Sequence, residues 1–301
     1  MNDIIIISGP TGVGKTDLAE RLAERLQGEI VNADQGQFYL PLAIGTAKPD
    51  WKNSAIKQHL FDCVTEPKNF TNAAYQQAAI TCIRDIHARG KRALVVGGSG
   101  FYYQTLLWPT ATLNKPVSPE ADLLMYTWEE LQRIDPVRAA AIHPHDTYRI
   151  HRALDIYYQH GLLPSSIKQV YAPAFPYTLI HVTRETEDLY ARINQRTGIM
   201  LDQGWLQEAA HLDEAWKTFA RQKKTIGYDT IFDYQEGHIT YDEMVQTIQL
   251  KTRNYAKKQK IFFRSLYKKI PDCDLPRVLE INLTLSPVDL YLDQLTERFM
   301  R

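Results

Sequence analysis

The residue types and spacing at positions 9–16, GPTGVGKT, are those of a phosphate-binding loop. In such a loop, successive backbone N–H groups and the N-terminus of the following helix form a nest for an anion. The Lys15 ammonium adds a point charge, and the Thr16 hydroxyl can hold Mg²⁺. We therefore predict a site for a diphosphate or a triphosphate, and its binding residues are Gly9, Thr11, Gly12, Val13, Gly14, Lys15 and Thr16.

Two further segments would bring polar groups to the same place. Asp34 follows an apolar run at 29–33, and Ser99 lies in a Gly-Gly-Ser-Gly turn at 97–100. The carboxyl ends of parallel strands meet at one edge, where such folds bind ligands. Asp34 is thereby placed for catalysis, although capping a turn would also explain an aspartate there. The small residues around Ser99 either let a ligand approach closely or simply form a tight turn.

A carboxylate that many NTPases use to hold Mg²⁺ is missing from this chain. No aspartate follows the apolar run at 93–96, where those proteins carry it. Its absence weakens an interpretation as an ATPase, although some small-molecule kinases also lack that residue.

A strongly basic segment lies near the end of the chain. Between Lys251 and Lys269 there are eight basic residues and no acidic one. Uncompensated cations repel one another unless an anion neutralises them, so this segment favours contact with a nucleic-acid backbone over a merely solvated helix. The residues that recur on one helical face are Arg253, Lys257, Lys260, Arg264 and Lys268.

Metal clusters and disulfides are disfavoured. Cys63, Cys82 and Cys273 form no CxxC pair, so we expect reduced thiols in the core of a cytoplasmic protein. The sequence HPHD at 143–146 contains ligand types, but no third or fourth ligand is spaced nearby. Asp146 is better explained as the N-cap of a helix.

The residues described above lie among short apolar strand-like runs that alternate with helical patterns in the first third of the chain. This alternation is typical of βαβ units and a parallel sheet. The fold class is therefore α/β, with helices on both faces of the sheet. Expected helices cover 15–27, 72–89 and 147–160. Expected strands are 4–8, 29–33, 92–96, 178–182 and 277–283.

Composition restricts the class of protein. The 301 residues are 44% hydrophobic and 23% charged, which excludes disordered and membrane proteins. The first residues show no signal peptide. Basic and acidic residues number 35 each, which argues against a uniformly basic nucleic-acid binder. The Thr- and Pro-rich segment 110–119 reads as a linker.

With these features established, the chain resembles the tRNA dimethylallyltransferases, also called tRNA isopentenyltransferases. The matching segments follow the family's order through most of the chain. They are GPTxxGKT at 9–16, NADxxQxY at 32–39, IGTAKP at 44–49, GGSGFY at 97–102, HPxD, RI and RAL within 143–154, IGY at 226–228, and TRNYAKKQ at 252–259.

The resemblance implies a P-loop core of nucleotide-kinase type with a helical insertion that embraces the tRNA anticodon stem-loop. The core would comprise residues 1–112 and 173–301, with the insertion at 113–172 and a basic tRNA-contacting helix at 247–269. The implied reaction moves a dimethylallyl group from dimethylallyl diphosphate to N6 of the adenosine 3′ of the anticodon. A cytoplasmic monomer that uses Mg²⁺ and needs no membrane is expected.

The same resemblance implies roles for single residues. Lys15, Thr16 and Mg²⁺ would neutralise the diphosphate leaving group, and Lys224 would contact it. Asp34 would accept the proton of the amine. Ser99, where the family usually has Thr, would assist at the diphosphate or the amine. The implied tRNA-contacting residues are Thr11, Gln37, Thr46, Lys48, Arg253, Lys257, Lys258, Gln259, Lys260 and Arg264.

Departures from the family's pattern leave two alternatives open. Gln35 stands where the family has Ser, and the segment between Trp108 and Asp135 is short. One alternative is a P-loop small-molecule kinase that uses ATP. The other is a catalytically weakened relative that binds tRNA.

Overall fold

Six parallel strands form one sheet, so their carboxyl ends share an edge. The structure is a computed structural model that describes residues 3–109, 126–167 and 170–300. The strand order is β3-β2-β4-β1-β5-β6. The strands are β1 (Ile4–Ser8), β2 (Glu29–Asn32), β3 (Gln58–His59), β4 (Ala93–Gly97), β5 (Tyr177–Thr183) and β6 (Val278–Asn282).

The five expected strands are confirmed to within one residue at each end. All five residues of β1 are buried, because both faces of the sheet are covered and the strand can be apolar throughout. β3 was not predicted, since two residues at Gln58–His59 are too few to show a pattern.

Twelve helices occur in the described parts of the chain. They are α1 (Lys15–Leu26), α2 (Asn72–Ala88), α3 (Gly100–Leu107), α4 (Trp128–Ile134), α5 (Pro136–Ala140), α6 (Thr147–His160), α7 (Thr186–Asp202), α8 (Trp205–Ala210), α9 (Glu214–Lys223), α10 (Tyr228–Gln235), α11 (Tyr241–Tyr267) and α12 (Val288–Met300). The crossovers β1-α1-β2 and β3-α2-β4 run in opposite directions along the sheet, so right-handed connections place α1 and α2 on opposite faces. The α/β prediction is confirmed.

Local signals explain where the helices begin. The Thr71 side chain accepts a hydrogen bond from the Ala74 N–H at 3.1 Å and caps α2. Thr240 and Glu243 form a capping box at the start of α11. The capping box fixes the start of the longest described helix, which carries the basic segment.

The chain divides into two compact units, residues 1–107 with 173–301 and residues 108–172. The smaller unit contains α4, α5 and α6, and Leu131, Ile150 and Leu154 lie in its apolar core. The predicted cap is confirmed, because the Asp146 side chain accepts a hydrogen bond from the Arg149 N–H at 3.1 Å. The expected boundary at 112/113 and the expected linker lie outside the described residues.

The prediction of core thiols is wrong for two of the three cysteines. Cys63 lies in an irregular segment and Cys273 in a short 3-10 helix, and both are exposed, whereas Cys82 is half-buried on α2. All three are free thiols. Among the described helices, none is long and apolar enough to cross a membrane.

Candidate active site at the carboxyl edge of the sheet

The phosphate-binding loop joins β1 to α1, and its glycines adopt backbone angles that other residues rarely take. Gly12 and Gly14 have φ angles of 79° and 106°. The Lys15 Nζ folds back and donates a hydrogen bond to the Pro10 carbonyl at 2.8 Å. The loop lines a cavity of about 600 Å³, in which its N–H groups can receive an anion.

Asp34 follows β2 at the same sheet edge and is held by its neighbours. Its Oδ1 accepts a hydrogen bond from the Gly36 N–H at 3.2 Å, and its own N–H donates to Asn32 Oδ1 at 2.9 Å. Burial raises the pKa of the Asp34 carboxyl, and the positive charges of Lys15 and Arg196 oppose that rise. Burial also lowers the pKa of Lys15 to about 8. This dehydrated acid–base pair has the perturbed pKa values that are common at functional sites.

Ser99 and Gln259 tie the glycine-rich turn to the rest of the site. Ser99 Oγ accepts a hydrogen bond from the Gln35 N–H at 3.2 Å. Gln259 Oε1 accepts from the Thr11 N–H, and Gln259 Nε2 donates to the Gly98 carbonyl, both at 2.8 Å. Gln259 is only 5% exposed. Gln259 therefore joins the phosphate-binding loop to the glycine-rich turn, and its implied contact with tRNA stays a prediction.

Three arginines that the sequence reasoning missed contact the loops of the site. Arg184 Nε donates to the Val13 carbonyl at 2.9 Å, and Arg192 Nε donates to the Gly12 carbonyl at 3.2 Å. Arg196 Nη2 donates to the carbonyl of Ala47 at 3.3 Å and lines the cavity beside Asp34. The four-residue spacing of Arg192 and Arg196 on one helical face was the available signal.

Two cavities meet at Asp34. The cavity of about 600 Å³ is lined by Lys15 and Thr16. A second cavity of about 560 Å³ is lined by Tyr255 and by several lysines. The residues that line both are Thr11, Gly12, Asp34, Thr46, Ala47, Arg196 and Met200. The lysines of the second cavity are Lys223, Lys224, Lys251 and Lys258.

The segment 39–48 forms one wall, and three of the implied tRNA contacts shape it from within. Gln37 Nε2 donates to the carbonyls of Thr46 and Ala47, both at 3.2 Å. Thr46 Oγ1 donates to the Leu42 carbonyl at 2.6 Å, while Thr46 still lines both cavities.

The Lys48 side chain is only 3% exposed and pairs with Asp62. Its Nζ also donates to the Tyr39 carbonyl at 2.7 Å. Because the ammonium is satisfied inside the protein, Lys48 holds the wall in shape, and its implied contact with tRNA stays a prediction.

A carboxylate from α8 holds the same wall, and the sequence analysis did not identify it. Glu208 Oε2 accepts hydrogen bonds from the N–H groups of Ala43 at 2.9 Å and Ile44 at 2.7 Å, and Oε1 accepts from Gly45 at 3.1 Å. The Tyr228 hydroxyl donates to Glu208 Oε1 at 2.5 Å. The segments IGTAKP and IGY are thus joined by one carboxylate.

The basic segment lies on α11, and its cations divide into two groups. Lys251 Nζ pairs with Asp229 Oδ2 at 2.8 Å, so the expectation of eight uncompensated cations is wrong at this position. Arg253 Nη1 donates to Asn194 Oδ1 at 2.7 Å, and Lys260 Nζ donates to the Arg184 carbonyl at 3.3 Å. The exposed basic residues of the segment are Lys257, Lys258, Arg264, Lys268 and Lys269.

Oxygen donors suited to Mg²⁺ lie beside the phosphate-binding loop. Thr16 and Asp34 line the same cavity, and Mg²⁺ is commonly bound by one or two protein oxygens together with substrate phosphates. The donor types therefore fit Mg²⁺ once a diphosphate is present. The metal-like cluster found in the described ranges, Asp233, Glu236 and His238, includes two carboxylates that pair with Arg221.

The fold and the site define a P-loop α/β protein with two adjoining cavities. A family model described as IPP transferase matches residues 37–266. The tRNA dimethylallyltransferase 2 of Geotalea uraniireducens (strain Rf4) is 40% identical over 274 residues, which cover 86% of this chain and 88% of that protein. The chain therefore belongs to the IPP transferase family.

Solved structures agree with this membership. The full-length tRNA isopentenylpyrophosphate transferase of Bacillus halodurans matches with a TM-score of 0.69 and 29% identity, covering 100% of this chain and 96% of that one. A eukaryotic dimethylallyltransferase acting on tRNA matches with a TM-score of 0.74 and 25% identity, covering 94% of this chain and 74% of that one. The comparisons support the resemblance and not the kinase alternative.

Proposed function

We propose that this chain is a tRNA dimethylallyltransferase, which moves a dimethylallyl group from dimethylallyl diphosphate to N6 of the adenosine 3′ of the anticodon. Family membership supports the reaction class. The observation that carries the proposal is the position of Asp34, where a cavity bounded by a phosphate-binding loop meets a cavity bounded by lysines. A transferase needs two substrates to meet at one such point.

The phosphate-binding loop supplies the half-site for the leaving group. Backbone N–H groups at Gly12 to Thr16 and the Lys15 ammonium would bind the diphosphate, with Lys224 facing it from the other cavity, while the Thr11 N–H is already donated to Gln259. The half-buried Arg196 guanidinium adds a positive charge. Fixed positive groups of this kind stabilise charge that develops on a leaving group. Bound Mg²⁺, held by Thr16, would supply further neutralisation of the diphosphate.

Asp34 supplies the half-site for the nucleophile. In the transfer, the N6 lone pair forms a bond to the allylic carbon, and the carbon–oxygen bond breaks with its electron pair leaving on pyrophosphate. The amine proton then passes to the Asp34 carboxylate. Ser99 lies at the same edge and would orient the incoming base together with Tyr255, whose pKa burial raises.

The exposed cations of α11, among them Lys258 of the second cavity, would contact the tRNA backbone. Lys257, Lys258 and Arg264 are exposed and free to meet phosphates. An adenosine in a single-stranded loop leaves its stack at low cost, so the base can reach Asp34. The smaller unit, which contains α4 to α6, would embrace the anticodon stem-loop, and the active species would be a monomer.

The proposal is tested by pyrophosphate release. Purified protein with Mg²⁺ and dimethylallyl diphosphate should release pyrophosphate only when unmodified tRNA is added. Equal release without tRNA, or release from ATP in place of the prenyl donor, would contradict the proposal. The Asp34→Asn variant serves as the inactive control.

A further inference from the structure

An aromatic pair lies beside the glycine-rich turn, with Phe101 exposed and Phe262 half-buried, and has no role in the chemistry described above. The rings of Phe101 and Phe262 lie 4.7 Å apart between centroids, at an interplanar angle of 55°. Phe101 is 56% exposed, although it lies in the first turn of a helix whose next residues are buried. Single exposed hydrophobic residues are ordinary, but a pair of rings at the rim of a site is a candidate binding surface.

The turn itself is built to receive one of these rings. A side chain on Gly100 would collide with the ring of Phe262, so only glycine lets that ring lie against the turn. The pair is therefore fixed by α11 on one side and by the start of α3 on the other. Two rings held in this way lose little freedom when a flat ligand stacks on them.

The glycine-rich turn links the pair to Asp34, because a Cβ on Gly98 would lie 3.5 Å from Asp34 Oδ2 while a Cβ on Gly100 would meet the ring of Phe262. Lys258 belongs to the lysine-lined cavity and precedes Phe262 by four residues on α11, so the two side chains share one helical face. Ser99, whose Oγ accepts a hydrogen bond from the Gln35 N–H, precedes Phe101 by two residues. Helix α11 thus connects Lys258 of the lysine-lined cavity to the aromatic pair.

We propose that Phe101 and Phe262 form a stacking platform for an unpaired base of the anticodon loop next to the target adenosine. The platform rests on the proposed function, because that function brings a single-stranded loop to this rim. Proteins recognise unstacked RNA bases by aromatic stacking flanked by cations, which is the combination found here. With a neighbouring base held on the platform, the target adenosine remains extruded toward Asp34.

The test uses an anticodon stem-loop RNA that carries 2-aminopurine at one or the other position flanking the target adenosine. Stacking on an aromatic ring quenches the fluorescence of this base. Wild-type protein should quench one of the two positions, Phe101→Tyr should retain the quench, and Phe101→Leu should lose it. The Kd for the RNA should rise by about five-fold or more in Phe101→Leu.

The control is Tyr241→Leu, which removes another exposed aromatic residue, at the far end of α11. It should leave both the quench and the Kd unchanged. Equal quenching by wild type and Phe101→Leu, or an equal loss in Tyr241→Leu, would overturn the platform. Pyrophosphate release by the wild type, measured in parallel, shows whether the platform has failed alone or together with the proposed function.

Discussion

Lys15 and Asp34 carry opposite charges in a cavity that burial has partly dehydrated. The charge of each group favours the ionised form of the other, while desolvation acts against both. Each group is therefore sensitive to the arrival of substrate. A diphosphate beside Lys15 would favour its protonated form, and an amine beside Asp34 would supply the proton that this carboxylate accepts.

Pyrophosphate binding should weaken as the pH rises through about 8, because the pKa of Lys15 is lowered to about 8 and the group is protonated only below that value. Titration calorimetry about one pH unit below and above this point measures the change. Lys15→Met should lower the affinity by roughly tenfold or more and should remove this step. Lys57→Met, at an exposed lysine, is the matched control. An unaltered pH dependence in Lys15→Met would exclude Lys15 as the group that titrates.

Transfer should depend on ionised Asp34, so kcat/KM should fall as the pH decreases. Because burial raises the pKa of Asp34 above its ordinary value of 3.8, the loss begins at a higher pH than for a solvated aspartate. Asp34→Asn should lower the rate by about 10² to 10⁴ and abolish this acidic limb. The exposed Asp50→Asn should leave the pH profile unchanged. A wild-type limb that survives in Asp34→Asn would assign the base to another residue.

The wall formed by 39–48 depends on an element far away in sequence, since a carboxylate on α8 satisfies three of its backbone N–H groups. Without that carboxylate, these groups would lose charge-assisted hydrogen bonds. The wall is therefore expected to open locally when α8 cannot supply its acceptor.

Glu208→Ala should lower the free energy of unfolding by roughly 2 kcal/mol and speed hydrogen exchange at the amides of residues 43–45. Exchange measured by mass spectrometry or NMR resolves the effect. Glu214→Ala, which removes an exposed carboxylate paired with Lys217, is the control and should change neither quantity. Exchange at 43–45 that matches the wild type would show that the wall does not need Glu208.

The two groups of cations on α11 should respond differently to substitution. Lys257→Gln, at an exposed position, should reduce the slope of log Kd for tRNA against log salt concentration by about 0.7 to 0.9. Lys251→Gln should lower the stability of the protein and leave the slope near that of the wild type, since Lys251 pairs with Asp229. Binding titrations over a series of salt concentrations decide between them. Equal slopes for Lys257→Gln and the wild type would remove Lys257 from the RNA interface.

The parts of the site that sequence could predict are local. A phosphate-binding loop is defined by eight consecutive residues, and Asp34 by its place after a strand, so both are found where expected. Glu208 and Arg196 escaped prediction because their partners lie on segments distant in sequence. The pairing of Lys48 with Asp62 was likewise not predictable, because the two residues are 14 positions apart in an irregular segment.

At the scale of the whole molecule, the neutral total charge conceals a strong asymmetry. Residues 217–269 contain twelve basic and five acidic residues, while the rest of the chain contains 23 basic and 30 acidic residues. Much of the positive charge lies on α11 and around the second cavity. A polarised chain of this kind can steer an RNA to one face without binding polyanions everywhere.

The mass of the tRNA tests the central claim most directly. Unmodified tRNA incubated with the protein, Mg²⁺ and dimethylallyl diphosphate should gain the mass of one dimethylallyl group. Nuclease fragments should place that group on the adenosine 3′ of the anticodon, and Asp34→Asn should leave the mass unchanged. A tRNA whose mass stays the same with active-site residues intact, or a prenyl group found at another nucleotide, would contradict the account.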